Sequence, residues 1–293
     1  MERPRALIIG AGGFLGTYLA RAADAKFDVF RGVHSRTDDG EMHIDVSDAG
    51  SARLVFEATR PDIVVLLAAI SDIDHCERQP DRAFAINVEG AEIIANLCAQ
   101  AKTRLLFTST AAVFDGLKHG YSEEDAPSPV NVYGRTKAQA EAAVQRLVPD
   151  ALIVRFSLLI GFANKPGTNS MLDTLSAKWQ AKVPVHLPVS EKRSPLHVQT
   201  LSELLVCLLT HREAKGIYHF GACDSLSRFE LGKRLAALAG VPEDLVQPQS
   251  TPPSGRAPRG LDHFLLTGKI QKLSGAKSPT CENEMTRCFN GIA

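Results

Sequence analysis

The chain has 293 residues, with 33 Lys and Arg against 33 Asp and Glu, so its formal net charge is zero. That balance lacks the basic surplus with which proteins hold nucleic acid, and no nucleic-acid partner is expected. Hydrophobic residues at 44% and charged residues at 23% describe an ordinary globular protein, and the length predicts one large domain with a smaller appendage.

Cys76, Cys98, Cys207, Cys223, Cys281 and Cys288 form no CxxC pair and none pairs with a histidine at metal-ligand spacing. They read as reduced core residues, with no metal site. The opening MERPRALIIGAGG contains no signal-peptide apolar run, and no stretch of about 18 apolar residues occurs. A cytoplasmic protein without a membrane partner is the expectation.

In chain order, RALIIG (5–10) predicts a strand that ends in glycines, and FLGTYLARAADA (14–25) a helix. FDVFRGV (27–33), MHIDV (42–46), DIVVLLAA (62–69), RLLFTST (104–110) and ALIVRFS (151–157) predict further strands. Helical patterns fill about 48–59, 79–101 and 131–147. The strands are continuous apolar runs, as strands buried on both faces of a parallel sheet require. Repeated strand–helix alternation predicts an α/β fold with a doubly wound parallel sheet of the Rossmann type.

The rhythm breaks after about residue 158. Thr200 with Glu203, and Ser227 with Glu230, each have capping-box spacing ahead of an apolar helix face. The stretch QPQSTPPSGRAPRG (247–260) predicts a long surface loop. The expected division is a dinucleotide-binding Rossmann domain over 1–157. A smaller α+β part, mainly substrate-binding, follows over 158–293, with about 196–222 returning to the Rossmann sheet.

Gly10, Gly13 and Gly16 lie between the first strand and the first helix. A tight turn there, close backbone approach to a diphosphate and tight helix–strand packing all favour residues without a Cβ. The helix N-terminus adds N–H donors and a positive dipole end. After the second strand the chain reads FRGVHSRT, with no acid before Asp38 to meet the ribose hydroxyls of NAD(H). Arg31, His34, Ser35 and Arg36 suit the 2′-phosphate of NADP(H) instead, which makes NADP(H) the expected cofactor and NAD(H) the alternative. Asp45 fits either a contact to the adenine amino group or a helix N-cap.

Tyr133 and Lys137 stand four apart on one predicted helix face. An ammonium beside a phenol stabilises the phenolate and lowers the tyrosine pKa, which makes a proton donor for an oxygen that gains charge as hydride arrives. About twenty residues upstream, LLFTSTAAVFDG (105–116) carries Ser109 and Thr110 at a strand end, where hydroxyls can reach the same substrate oxygen.

The motifs GAGGFLG, LLAA, FAINVEGA, STAAVFDG and NVYGRTKAQAE resemble, in order and spacing, the extended short-chain dehydrogenase/reductase family. Within it the chain is similar to the dTDP-4-dehydrorhamnose reductase branch, and the resemblance runs on through RSPLHVQTL, GIYHFGA and RAPRGLD. It implies Thr110, Tyr133 and Lys137 as catalytic residues and a nucleotide sugar as substrate, with Ser109, Thr110 and Arg193 as substrate contacts. It also implies cofactor contacts from Gly10, Gly13, Phe14, Leu15, Gly16, His34, Ser35, Arg36, Asp45, Val46, Ala68, Ala69, Asn87, Tyr133 and Lys137, and a homodimer.

Departures matter. The acid–acid pair of family dehydratases is replaced by Ala111 and Ala112, and the reductase tryptophan by Leu158. Lys165, Arg193 and Arg259 are candidates for a diphosphate. The implied reaction is NADPH-dependent reduction of a 4-keto nucleotide sugar. Two alternatives remain: an NAD-dependent epimerase, and a non-catalytic NADP-binding subunit resembling the regulatory subunit of methionine adenosyltransferase.

Overall fold

The computed structural model describes residues 3–35, 38 and 40–290. The first half alternates as expected: β1 (Arg5–Ile9), α1 (Phe14–Ala23), β2 (Asp28–Val33), β3 (Glu41–His43), α2 (Ala49–Thr59), β4 (Ile63–Leu66), α3 (Ile73–Arg78), α4 (Pro80–Phe84), α5 (Gly90–Ala101), β5 (Arg104–Thr110), α6 (Val132–Leu147) and β6 (Leu152–Phe156). The second half runs β7 (Leu158–Ile160), α7 (Met171–Gln180), β8 (Val185–Pro188), β9 (Lys192–Arg193), β10 (Pro195–His197), α8 (Val198–Thr210), β11 (Gly216–Phe220), β12 (Leu226–Ser227), α9 (Arg228–Leu238), β13 (Val246–Gln249), β14 (Asp262–His263), α10 (Gly268–Ser274) and α11 (Cys281–Arg287).

Seven strands form one sheet in the order β11-β6-β5-β4-β1-β2-β3, and every pairing is parallel. One face packs on a core that includes Leu19, Leu201, Leu205 and Leu208 from α1 and α8. The other packs on a core that includes Phe56, Ile94 and Val144 from α2, α5 and α6. Burial on both faces explains the continuous apolar runs of β1, β4 and β5. The strand order reverses between β1 and β4, which opens a crevice at their C-terminal ends.

β11 adds the seventh strand beside β6, so residues 216–220 lie in the main sheet. The remaining strands make three small sheets, β7 with β10, β8 with β13, and β9 with β12 and β14. These enclose a third core with Leu172, Trp179, Leu231 and Met285.

Several local expectations change. The helix expected over 79–101 is interrupted by a π-turn at Ala85–Glu89 that holds Asn87. The strand expected over 42–46 ends at His43. The loop expected from 247 contains β13, where Pro248 is accommodated because the two-stranded β8–β13 pair is all edge. Ser227 and Glu230 form the capping box, but α8 is capped by His197, and Thr200 lies one turn inside it, donating to Glu284 at 3.0 Å. Burial fits Cys76, Cys98, Cys281 and Cys288, whereas Cys223 is exposed and Cys207 half-buried; all six are free. Among the described residues no helix is long and apolar enough to cross a membrane.

Candidate active site

The crevice at the strand switch is a cavity of about 620 Å³. Gly10, Gly13, Phe14, Leu15 and Gly16 line its floor with Leu67 and Ala69 from the end of β4. Two of these glycines are dictated by sterics. Gly10 has φ +95° and faces the Ala68 backbone, and a Cβ on Gly16 would fall 2.2 Å from the Gly10 carbonyl oxygen. α1 begins at Gly13 with no side-chain cap, so its first N–H groups are left for a ligand. The floor therefore fits a diphosphate bridge: small, close to backbone, and served by an uncapped helix end.

The adenosine end is less complete. His34 and Ser35 are exposed after β2, and Arg36 lies outside the described residues. Arg31 is taken by Asp24 at 2.7 Å. Asp48, not Asp45, caps α2. The Asp45 carboxylate accepts from the Ser47 hydroxyl and N–H, which holds its pKa below the usual carboxylate range, and His34 Nε2 lies 3.7 Å from it. Val46 is buried, and Ala68 N–H donates to Ile9 of β1. A separate open hollow of about 710 Å³ beside α2 includes Asp45 but none of the catalytic candidates.

Ser109 and Thr110 end β5, and Tyr133 and Lys137 open α6; all four line the cavity. What brings the two elements together is Gly134, whose absent Cβ would fall 2.1 Å from the Ala112 carbonyl oxygen. Asn131 caps α6 by accepting from Gly134 N–H at 2.8 Å, and its amide donates to the Pro258 carbonyl at 2.9 Å. The Thr110 hydroxyl accepts from Ala112 N–H at 3.1 Å and acts on the Tyr133 phenol, lowering its pKa. Ser109 Oγ is buried without a partner. Asn87 does not line the cavity: it accepts from Ile70 N–H, donates back to Ile70 O, and donates to Thr136 on α6. It ties the chain after β4 to the helix that carries Tyr133.

The electrostatics differ from the expectation for an ammonium–phenolate couple. Burial pushes Tyr133 up to about 12, against the Thr110 hydrogen bond that lowers it. Burial also pushes Lys137 down to about 7, partly offset by Glu141. Desolvation dominates both groups in the free protein. The Lys137 ammonium stands 3.9 Å over the Phe107 ring.

The opposite wall is made by the second half. Arg193, Arg228, Arg256 and Arg259 line it, with Glu191 and His263. Glu191 is paired with Arg256 and, at 3.4 Å, with Arg193. Arg259 makes a two-pronged bond to Asp74 of α3 at 2.9 and 2.7 Å. Arg228 has no carboxylate partner among the described residues, and its buried Nε meets no acceptor. Four guanidiniums thus share two carboxylates, which leaves the wall cationic. Among the described residues, Glu191 is the single carboxylate lining the cavity.

Of the diphosphate candidates, Arg193 and Arg259 reach this wall, while Lys165 is drawn away to Asp38 at 2.6 Å and Glu41 at 3.5 Å. Sequence reasoning missed Arg228, Arg256, Glu191, His263 and Gly134. The glycine directly after the tyrosine was a usable signal; the arginines carried none.

The fold is similar to that of the dTDP-4-dehydrorhamnose reductase of Bacillus anthracis str. Ames, solved in complex with NADP. The TM-score is 0.87 at 27% identity, over 98% of this chain and 99% of that one. In sequence the chain is 27% identical over 283 residues to methionine adenosyltransferase 2 subunit beta of Xenopus laevis, covering 94% of this chain and 84% of that protein. It is 28% identical over 258 residues to the spore coat polysaccharide biosynthesis protein SpsK of Bacillus subtilis, covering 87% and 86%. The family model described as the RmlD substrate binding domain matches residues 4–293, and the chain belongs to that family.

Proposed function

We propose that this protein is an NADPH-dependent reductase of a 4-keto nucleotide sugar. The observation that carries the reading is one cavity with two unlike walls: a Thr110–Tyr133–Lys137 set above a glycine floor, facing four arginines. The glycine floor and the uncapped α1 fit the cofactor diphosphate, and exposed His34 and Ser35, with Arg36 next in sequence, suit a 2′-phosphate. NADPH, when bound, supplies the hydride.

The chain's own residues do the rest. The arginine wall neutralises the sugar nucleotide's diphosphate and fixes its position. Ser109 Oγ and Thr110 Oγ1 orient the substrate carbonyl. Tyr133 Oη gives its proton to the carbonyl oxygen as charge develops there. Anionic ligands in the cavity favour the ammonium form of Lys137, and the ammonium in turn stabilises the phenolate that Tyr133 leaves behind. Dehydration would need an acid and a base beside Thr110, where buried Ala111 and Ala112 stand instead, and Glu191 is held by arginines.

The similarity to methionine adenosyltransferase 2 subunit beta supports a second reading, a cofactor-binding subunit without turnover. NADPH oxidation by the purified protein, with dTDP-4-dehydrorhamnose as substrate, separates the two. The reductase reading expects NADPH consumed in step with the keto sugar and slower use of NADH. Cofactor binding with no consumption on this or other 4-keto nucleotide sugars supports the subunit.

A further inference from the structure

Below the catalytic candidates lies an ion pair with no outlet to solvent. Glu141 of α6 and Arg155 of β6 are each about 2% exposed. Arg155 Nε donates to both carboxylate oxygens at 2.9 and 3.1 Å, and Nη2 donates to Oε2 at 2.5 Å. The guanidinium lies 5.1 Å from the Phe114 ring centre and reaches His219 Nε2 at 3.4 Å. Isolating both charges from water is costly, and a hydrophobic pair of similar volume would commonly serve stability as well. A reason beyond stability is therefore worth seeking.

The geometry supplies one. Glu141 is one helical turn beyond Lys137, so the two share a face of α6. Lys137 is itself 2% exposed and forms no ion pair of its own. Arg155 neighbours Ser109 across the sheet and fixes the carboxylate from the far side. Of the two charges, the carboxylate is the one that raises the proton affinity of Lys137. The other ionisable groups around α6 do not replace it: Tyr133 and Cys76 are pushed up by burial, and His219 is pushed down to about 3, so all three are neutral near pH 7. Exposed Glu77 accepts from Val132 N–H, Asp74 is held by Arg259, Glu92 pairs with Arg146, and Asp81 and Arg82 of α4 are exposed. Across the cavity Arg193, Arg228, Arg256 and Arg259 add only cations beyond those held by Glu191 and Asp74, and His263 is pushed down to about 3.

We propose that Glu141 is a positioning residue: its Arg155-locked carboxylate is the counter-charge that keeps a proton on Lys137 and holds the ammonium at the cavity. The role in catalysis rests on the reductase reading, but the electrostatic claim does not, and the two are tested separately.

The test is the titration of Lys137 in the whole free protein, followed by NMR on protein labelled at the lysine side chains. The Lys137 signal is assigned by its loss in Lys137→Met. The wild-type midpoint is expected near 7. Glu141→Gln should move it down by about one pH unit, a tenfold loss of proton affinity.

The double variant Glu141→Gln/Arg155→Gln removes the stranded guanidinium and is the better-folded control. A midpoint still below wild type supports the proposal, because the nearer charge was the carboxylate. A wild-type midpoint in the folded double variant overturns it and leaves the pair structural. NADPH turnover measured on the same samples reports separately on the reductase reading: an inactive wild type with a shifted titration would sink that reading and keep this one.

Discussion

The two walls of the cavity solve different problems with different residues. The Rossmann wall is short on charge: glycines, aliphatic hydroxyls, a phenol, and one lysine whose buried position favours loss of its proton. The second-half wall is crowded with charge, four arginines around Glu191 and Asp74. On the proposed reductase reading, a hydride acceptor needs a preorganised proton donor, which the first wall would provide. A diphosphate needs cations in place before it arrives, which the second provides. Lys137 stays desolvated beside the Glu141 carboxylate, and anionic groups of a bound ligand would add to that counter-charge.

The comparison can be broken from either side. The largest effect is expected on the first wall. Tyr133→Phe removes the one phenol that lines the cavity among the described residues and should lower kcat by about a hundredfold to ten-thousandfold, with NADPH affinity nearly kept. Steady-state kinetics beside fluorescence titration of NADPH checks this, and loss of binding with unchanged kcat would move Tyr133 from chemistry to cofactor contact.

A smaller effect is expected on the second wall. Arg228→Met removes a guanidinium whose Nη2 meets Met171 Sδ at 3.3 Å and which forms no ion pair among the described residues. KM for the nucleotide sugar should rise about tenfold to a hundredfold, from one charge-assisted contact, with kcat within about threefold of wild type. A fall in kcat at constant KM would contradict the split between the walls. Because Arg228 is not needed for any internal ion pair, the folded state should tolerate the change, as a thermal melt would show.

The two walls also differ in how far they could be read from the sequence. Gly10, Gly16, Tyr133 and Lys137 were legible because backbone sterics and helix spacing act over a few residues, and they sit where those rules put them. The parallel sheet was legible from its apolar runs. Arg228 and Arg256 were not. Each is an ordinary charged residue locally, and each gains meaning only when β9, α9 and the 250–260 loop converge from distant parts of the chain. Lys165 failed for the same reason, since its partner Asp38 lies 127 residues away. Tyr133 is pushed up rather than down, and Lys137 is pushed down, because burial depends on everything packed around them, which spacing does not report. Glu141 and Arg155 were visible as letters, but not as a pair.

The measurement that tests the account most directly is transfer of deuterium from NADPH carrying deuterium at the hydride position to dTDP-4-dehydrorhamnose, followed by mass spectrometry of the sugar nucleotide. The account predicts one deuterium in the reduced sugar for each NADP formed, and none with Tyr133→Phe in the same interval. Tight cofactor binding with no label in this or any other 4-keto nucleotide sugar would contradict it, and would recast the cavity as a cofactor-holding site in a subunit that works through a partner.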